Sequence, residues 1–277
     1  MIPLELNHLV QTIDQKIANG QFKDAATLVS IGLIWYPRDP SLISFHAAIP
    51  SQYDHSFFAE AYQGSLASAR LFLRHLHTHY AFATAVDVGA GAGAWSQAAI
   101  ELGKAVLSID GNWVRDIEKP CDKINYLYQD LNSTISSDRA FDLAICVEVA
   151  EHLVPERSCG FVADLCNLAP VILFGASLPR QGGVGHINCR PHSYWIDQFQ
   201  RRRFTALDLF RPAFWYDGRV EPWYAQNTFL FVADSKLAQL AMLPRPSLVD
   251  VYHPRVAIDS PICLQDHLQG RVDPGAN

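Results

Sequence analysis

Residues Thr84 to Trp95 read TAVDVGAGAGAW, and this stretch constrains the fold more than any other. Ala85, Val86 and Val88 form a short apolar run. Gly89, Gly91 and Gly93 then alternate with alanines, and Trp95 to Leu102 can start a helix. The order strand, glycine turn, helix start lets backbone approach a ligand closely, because glycine has no side chain and tolerates positive φ. The helix start behind the turn offers unpaired N–H groups and the positive end of a dipole.

The remaining chain is long enough to build a large domain around that turn. Its 277 residues suit one α/β domain with a helical annex. Hydrophobic residues make up 49% and charged residues 18%, a balance that excludes a disordered chain. A net charge of −6 argues against nucleic acid as partner. No apolar run approaches the roughly 18 residues of a membrane span. MIPLELNHLVQ lacks the basic start and long apolar stretch of a signal peptide, so a reducing cytoplasmic setting is expected. The six cysteines, Cys121, Cys146, Cys159, Cys166, Cys189 and Cys263, form no CxxC pair and read as free, mostly buried thiols.

Helical spacing runs over Leu4–Ala18 and Phe22–Trp35, predicting a hairpin that caps the next domain. One such pair is too few for a free-standing solenoid. A further helix, Ser56–His79, leads into the glycine turn. Strands are then predicted at 83–88, 105–109, 124–128, 141–147, 171–174, 204–210 and 228–232. Helices are predicted at 95–102, 155–168 and 192–202, with a weaker one at 113–118. That alternation predicts one doubly wound sheet. Arg211–Asn227 is read as a long loop preceding an antiparallel return. The expected domains are a helical annex at 1–50, the ligand-binding domain at 51–235 and an extended tail at 236–277.

The glycines fit two templates: the dinucleotide pattern Gly89-x-Gly91-x-x-Ala94, and a nucleoside-type turn Gly89-x-Gly91-x-Gly93 preceded by Asp87. The surrounding acids decide. Asp87 ends the first strand, where it can orient the turn or accept from an ammonium, and where it disfavours a pyrophosphate. Asp110 ends the second strand and can accept from ribose hydroxyls. Asp130 and Leu131 follow the third, suited to an adenine amino group and ring. The fourth strand ends in Cys146-Val147-Glu148-Val149-Ala150-Glu151-His152, just where open α/β sheets place chemistry.

This ordered set, with Phe141-Asp142-Leu143 ahead of it, resembles a class I S-adenosylmethionine (AdoMet)-dependent methyltransferase over residues 50–233. The resemblance implies a Rossmann-like, doubly wound seven-stranded sheet of order 3-2-1-4-5-7-6 with an antiparallel last strand. It implies AdoMet as cofactor, with Asp87, Gly89, Gly91 and Gly93 around the methionine part and Asp110 on the ribose. Asp130 and Leu131 would contact the adenine, and Cys146 and Glu148 would line the pocket. Ser177–Asn188 followed by Tyr194-Trp195 resembles a bacterial stand-alone branch, associated with small-molecule and surface-sugar methylation. A small-molecule or sugar acceptor, methylated at oxygen, is therefore expected.

Methylation of a hydroxyl calls for a base. His152, just past the fourth strand, and His186, in a glycine-rich loop, are the candidates. His152 can equally hold its loop, and Asn188 can orient the substrate or His186. Glu151 reads as a solvated helix-start acid. No metal site is expected. Of His75, His77 and His79 only the first and last share a helix face, and His186 with Cys189 and His192 is a looser alternative set. Tyr53 and Tyr62 can close over a cofactor or fill core. Trp215, Tyr216, Trp223 and Tyr224 can stack on an acceptor or anchor their loop, and Arg201–Arg203 reads as a solvated helix end. The rival readings are an NAD(P)-dependent oxidoreductase, lacking a Tyr-x-x-x-Lys pair here, and a non-catalytic methyltransferase-like binding protein.

Overall fold

A computed structural model describes residues 6–19, 21, 25, 28, 29, 32, 36, 39–48, 55–117, 119–181, 183 and 185–256. The chain divides into two compact units: residues 1–52 with 180–188 and 257–277, and residues 53–179 with 189–256.

In the first unit, helix α1 (Leu6–Ala18) buries Leu9 and Ile13, spaced one helical turn apart. Helix α2 (Pro40–Ala48) starts on Asp39, whose Oδ1 accepts the N–H groups of Ser41 and Leu42, both at 3.0 Å. The expected second helix, 22–35, falls mostly outside the described residues. Within it Ala25, Leu28 and Val29 are helical and buried. A Cβ on Gly32 would lie 2.8 Å from Leu9 Cδ2 and 3.0 Å from Leu42 Cδ1, so glycine here leaves room for both leucine side chains.

The second unit holds the sheet. Its strands are β1 (Thr84–Val88), β2 (Ala105–Asp110), β3 (Tyr126–Tyr128), β4 (Leu143–Val147), β5 (Val171–Gly175), β6 (Phe204–Leu207) and β7 (Thr228–Ala233). The order is β3-β2-β1-β4-β5-β7-β6. All pairs are parallel except those of β7, which runs antiparallel to both β5 and β6. β4 and β5 are wholly buried, which explains why they read as unbroken apolar runs rather than alternating ones.

Helices cover both faces: α3 (His55–His79) and α4 (Ala94–Glu101) on one, α5 (Ser158–Leu168) and α6 (His192–Gln200) on the other. Alternate strand residues feed the two cores. Ala85, Leu143, Ile145, Leu173 and Leu230 pack with Leu66, Phe72 and Leu76 of α3. Val86, Val88, Ala144, Ile172 and Phe231 pack with Phe161, Trp195 and Phe199. Aromatic stacking fixes both layers: Phe72 lies 4.7 Å from Phe210, and Phe199 lies 3.9 Å from Phe231.

β1 lies between β2 and β4, with Val88 in register with Ile109 and Asp87 with Ile145. The chain leaves β1 toward one side and returns on the other. The crevice at its carboxyl end is therefore the switch point where doubly wound sheets bind ligands.

Some local expectations change. The 211–227 gap is not one long loop: it holds two short helices, α7 (Arg211–Phe214) and α8 (Pro222–Asn227), each with proline in its first turn. The weak helix at 113–118 is a 3-10 turn, Asn112–Asp116. The third strand is only Tyr126–Tyr128. Of the described cysteines, all free, only Cys146 is buried. Residues 244–253 lie along this unit: Asp208 N–H donates to Pro244 O at 2.7 Å, and Arg211 reaches the carbonyls of Leu248 and Val249. Among the described residues no helix is long and apolar enough to cross a membrane.

Candidate active site

The turn after β1 is held in a shape that only glycine takes easily. Gly89, Gly91 and Gly93 have φ of 79°, 53° and 89°. A Cβ on Gly89 would fall 2.3 Å from Val149 Cγ2, and one on Gly93 2.4 Å from Ile124 Cδ1. The N-cap residue of α4, Gly93, makes no side-chain cap, and the Ser96 N–H in the first turn is met by the Asp87 carboxylate. Gly91 is gripped from both sides: its N–H donates to Asp110 Oδ2 at 2.8 Å, and its carbonyl accepts from the Tyr126 hydroxyl at 2.8 Å.

Asp87 and Asp110 are almost wholly buried. Asp87 accepts from Ser96 Oγ at 2.7 Å, and Ser96 Oγ lies 2.6 Å from Ser108 Oγ. Asp87 thus ties β1 to α4, not to the turn itself. Burial pushes its pKa up to about 7, against the Ser96 hydrogen bond, with the charge of Asp110 adding. Asp110 also accepts from the Gly111 N–H at 2.6 Å. Burial pushes it up to about 6 despite its two backbone donors. Neither acid has a Lys or Arg partner among the ion pairs of the described residues.

Asp130 is exposed and closes its own turn, accepting from the Asn132 N–H at 2.9 Å and from Ser133 Oγ at 3.4 Å. Leu131 is buried in the core beside β1 and β4. Cys146 is fully buried, and burial together with the charges of Glu151, Asp87 and Asp110 holds its thiol far from ionising.

The end of β4 carries the densest polar network. Glu148 has φ of 56°, the left-handed region that non-glycine residues avoid. Its Oε1 accepts from Asn227 Nδ2 at 2.8 Å and its Oε2 from Ser177 Oγ at 3.2 Å. Glu151 overturns the expectation of a solvated acid: it is 0% exposed, with Oε1 accepting from the Ser177 N–H at 3.2 Å and Oγ at 2.8 Å. The short 3-10 turn Ala150–His152 folds it inward. Burial pushes Glu148 well above the usual carboxylate range, and the neighbouring Glu151 adds to the rise.

The orientation of the Asn227 amide follows from a backbone donor. The His253 N–H donates to Gln226 Oε1 at 2.7 Å, which leaves Gln226 Nε2 to donate to Asn227 Oδ1 at 2.8 Å. Asn227 Nδ2 must then face Glu148 as a donor. Neither Gln226 nor Asn227 stood out in the sequence analysis. A signal was present: Gln226-Asn227-Thr228 is a polar triplet immediately ahead of the apolar run of β7, and all three are buried.

His152 is partly exposed in the turn after β4, its N–H donating to Val149 O at 3.0 Å. His186 belongs to the other unit, where its imidazole packs over Gly183: a Cβ there would fall 2.1 Å from His186 Cε1. His75 and His79 meet edge to face at 5.1 Å, and His77 packs on Phe82. Tyr53 lies outside the described residues. The Tyr62 hydroxyl bonds Gln97 Oε1, and burial pushes its pKa to about 12. Tyr224 is buried on Ser65, Trp215 packs on His253, and Tyr216 projects outward, 93% exposed. Arg201 and Arg203 pair with Asp197 and Asp234, and Arg202 donates to the carbonyls of Gln198 and Cys159.

Sequence comparison matches the chain to no family model and to no curated protein. Comparison of folds does find similar solved structures. Streptomyces venezuelae DesVI aligns at 11% identity over 66% of this chain and 99% of its own, with a TM-score of 0.50. Burkholderia thailandensis 1,6-didemethyltoxoflavin-N1-methyltransferase aligns at 18% identity over 69% and 86%, with a TM-score of 0.46. Magnesium protoporphyrin IX methyltransferase from Synechocystis PCC 6803 aligns at 12% identity over 74% and 97%, with a TM-score of 0.45. The strand order, the antiparallel β7 and the glycine turn after β1 together make this the class I methyltransferase fold.

Proposed function

We propose that this protein is an AdoMet-dependent methyltransferase acting on a hydroxyl of a small-molecule or sugar acceptor. One observation carries the reading: two buried acids, Asp87 and Asp110, flank the glycine turn and are met by hydroxyl, backbone N–H and Trp113 side-chain donors, with no Lys or Arg ion pair to either among the described residues. Burial holds both near their titration points at neutral pH, so the crevice favours a cation and repels a pyrophosphate. AdoMet carries a sulfonium and an ammonium, and its donor and acceptor pattern fits this acid set.

In this reading Asp87, Gly89, Gly91 and Gly93 hold the methionine part, and Asp110 takes the ribose hydroxyls. Asp130 and Leu131 hold the adenine, while Cys146 and Glu148 line the pocket. AdoMet, when bound, supplies an electrophilic methyl group on sulfur. The chain's contribution is position, exclusion of water and removal of the hydroxyl proton. His152 and His186 are the proposed bases. A cytoplasmic setting suits the free thiols of the described cysteines.

The test is transfer of labelled methyl from AdoMet to a panel of hydroxylated small molecules and sugars. Wild-type protein should label at least one, Asp110→Ala should label it about 10- to 100-fold more slowly at limiting AdoMet, and His152→Ala and His186→Ala should separate in turnover at saturating AdoMet. Labelling confined to amines would remove the oxygen assignment.

A further inference from the structure

The network at the end of β4 contains a group that methyl transfer from AdoMet leaves without a task. Glu151 is 0% exposed, and while its Oε1 is served by Ser177, its Oε2 is enclosed with no hydrogen-bond donor. A buried carboxylate oxygen without a donor is costly, and structures keep such an atom where something else completes it. Two side chains able to ligate a cation stand beside it. The Glu148 side chain lies within hydrogen-bonding reach of Glu151. A His152 ring nitrogen and a Glu151 carboxylate oxygen lie within 4.8 Å of each other.

The backbone makes this grouping at a cost. Glu148 takes φ of 56°, and the 3-10 turn Ala150–His152 follows at once. Residues 148, 151 and 152 are thereby gathered from a single five-residue stretch. Two carboxylates in contact repel each other when both are ionised, and a positive charge between them relieves that. Ser177 and Asn227 already orient the two acids from outside, as the outer hydrogen bonds of metal ligands do.

We propose that Glu148, Glu151 and His152 bind a divalent cation, with Ser177 and Asn227 as positioning residues. Two carboxylates and one imidazole suit Mn²⁺, Mg²⁺ or Zn²⁺ and leave coordination positions open. No metal was expected, because His75 and His79 alone share a helix face and supply too few ligands. The E-x-x-E-H run was read as a cofactor acid, a solvated acid and a base. If the methyltransferase reading also holds, His152 serves as a cation ligand in place of a base, Glu148 faces the ion at the edge of the cofactor pocket, and the open positions take acceptor oxygens. The acceptor class is then one whose hydroxyl and a neighbouring oxygen chelate the ion together.

The experiment is titration of the EDTA-treated full chain with Mn²⁺, followed by electron paramagnetic resonance and calorimetry. One Mn²⁺ should bind per chain, displaceable by Zn²⁺ or Mg²⁺ and raising the melting temperature. Glu151→Gln and His152→Ala should each weaken binding at least tenfold. His152 is partly exposed, so its variant keeps the test informative where Glu151→Gln unfolds. No binding of Mn²⁺, Mg²⁺ or Zn²⁺ by wild type at millimolar concentration overturns the proposal. So does wild-type affinity in folded Glu151→Gln or in His152→Ala. Parallel titration with AdoMet separates the two readings: Mn²⁺ bound without AdoMet keeps the metal site and removes the methyltransferase, and the reverse removes only the metal site.

Discussion

Replacing Asp87 with asparagine should make the protein more stable at alkaline pH while weakening its hold on AdoMet. Asp87 is 2% exposed, and burial raises its pKa from 3.8 to about 7. An acid whose folded pKa is raised binds more protons folded than unfolded between those two values. Its contribution is therefore fully present below about pH 4 and is lost as pH rises through about 7. The rise corresponds to about 4 kcal/mol, at 1.4 kcal/mol per tenfold change in protonation. Asparagine keeps the shape, and its Oδ1 can still accept from Ser96 Oγ, but it carries no charge to desolvate. Urea unfolding of both proteins from pH 5 to pH 8 measures the difference. Asp87→Asn should exceed wild type by about 1–2 kcal/mol near pH 5 and by about 4 kcal/mol at pH 8, with AdoMet affinity lowered about 10- to 100-fold from the lost charged partner. Parallel stability profiles across that range would refute the reasoning, because they would mean that Asp87 titrates normally in the fold.

Three further outcomes follow from the geometry. Gly89→Ala should cost about 2–4 kcal/mol, from left-handed backbone and the 2.3 Å approach to Val149, whereas Gly103→Ala, with φ of 72° and nothing within 4 Å, should cost only about 1 kcal/mol; urea unfolding of the pair separates crowding from backbone strain. Asn227→Ala removes the amide that donates to Glu148 Oε1 and accepts from Gln226 Nε2 and should cost about 2–3 kcal/mol, read from thermal unfolding. AdoMet binding near pH 6 should release protons as the ligand's positive charge draws Asp87 and Asp110 into their ionised forms. Near pH 8.5 that release should vanish, and calorimetry in two buffers of different ionisation enthalpy reads the count.

Much of the fold was legible because its signals are local. The β1 run, the alternating glycines and the acids at the ends of β1 and β2 sit within one continuous stretch, and the apolar runs of β4, β5 and β7 mark a sheet covered on both faces. What escaped depends on contacts between distant residues. Glu148 meets Asn227 across 79 positions, so no spacing rule reveals it. Glu151 looked like a helix-start acid because a 3-10 turn and a helix start share the same sequence pattern, and only the left-handed Glu148 turns it inward. The helices at 211–214 and 222–227 were hidden by their length, although Pro212 and Pro222 mark first turns. At the glycine turn the acids' positions were legible but their partners were not: Asp87 reaches Ser96, and Asp110 grips Gly91.

The central claim is that the glycine turn holds AdoMet, and calorimetric titration of wild type and Asp110→Ala tests it most directly. One AdoMet should bind per wild-type chain, its demethylated product should bind at the same site, and Asp110→Ala should weaken both by about 10- to 100-fold, the loss of hydrogen bonds to a charged group. Binding of neither compound by wild type, or tight binding of a nicotinamide dinucleotide in their place, would contradict it.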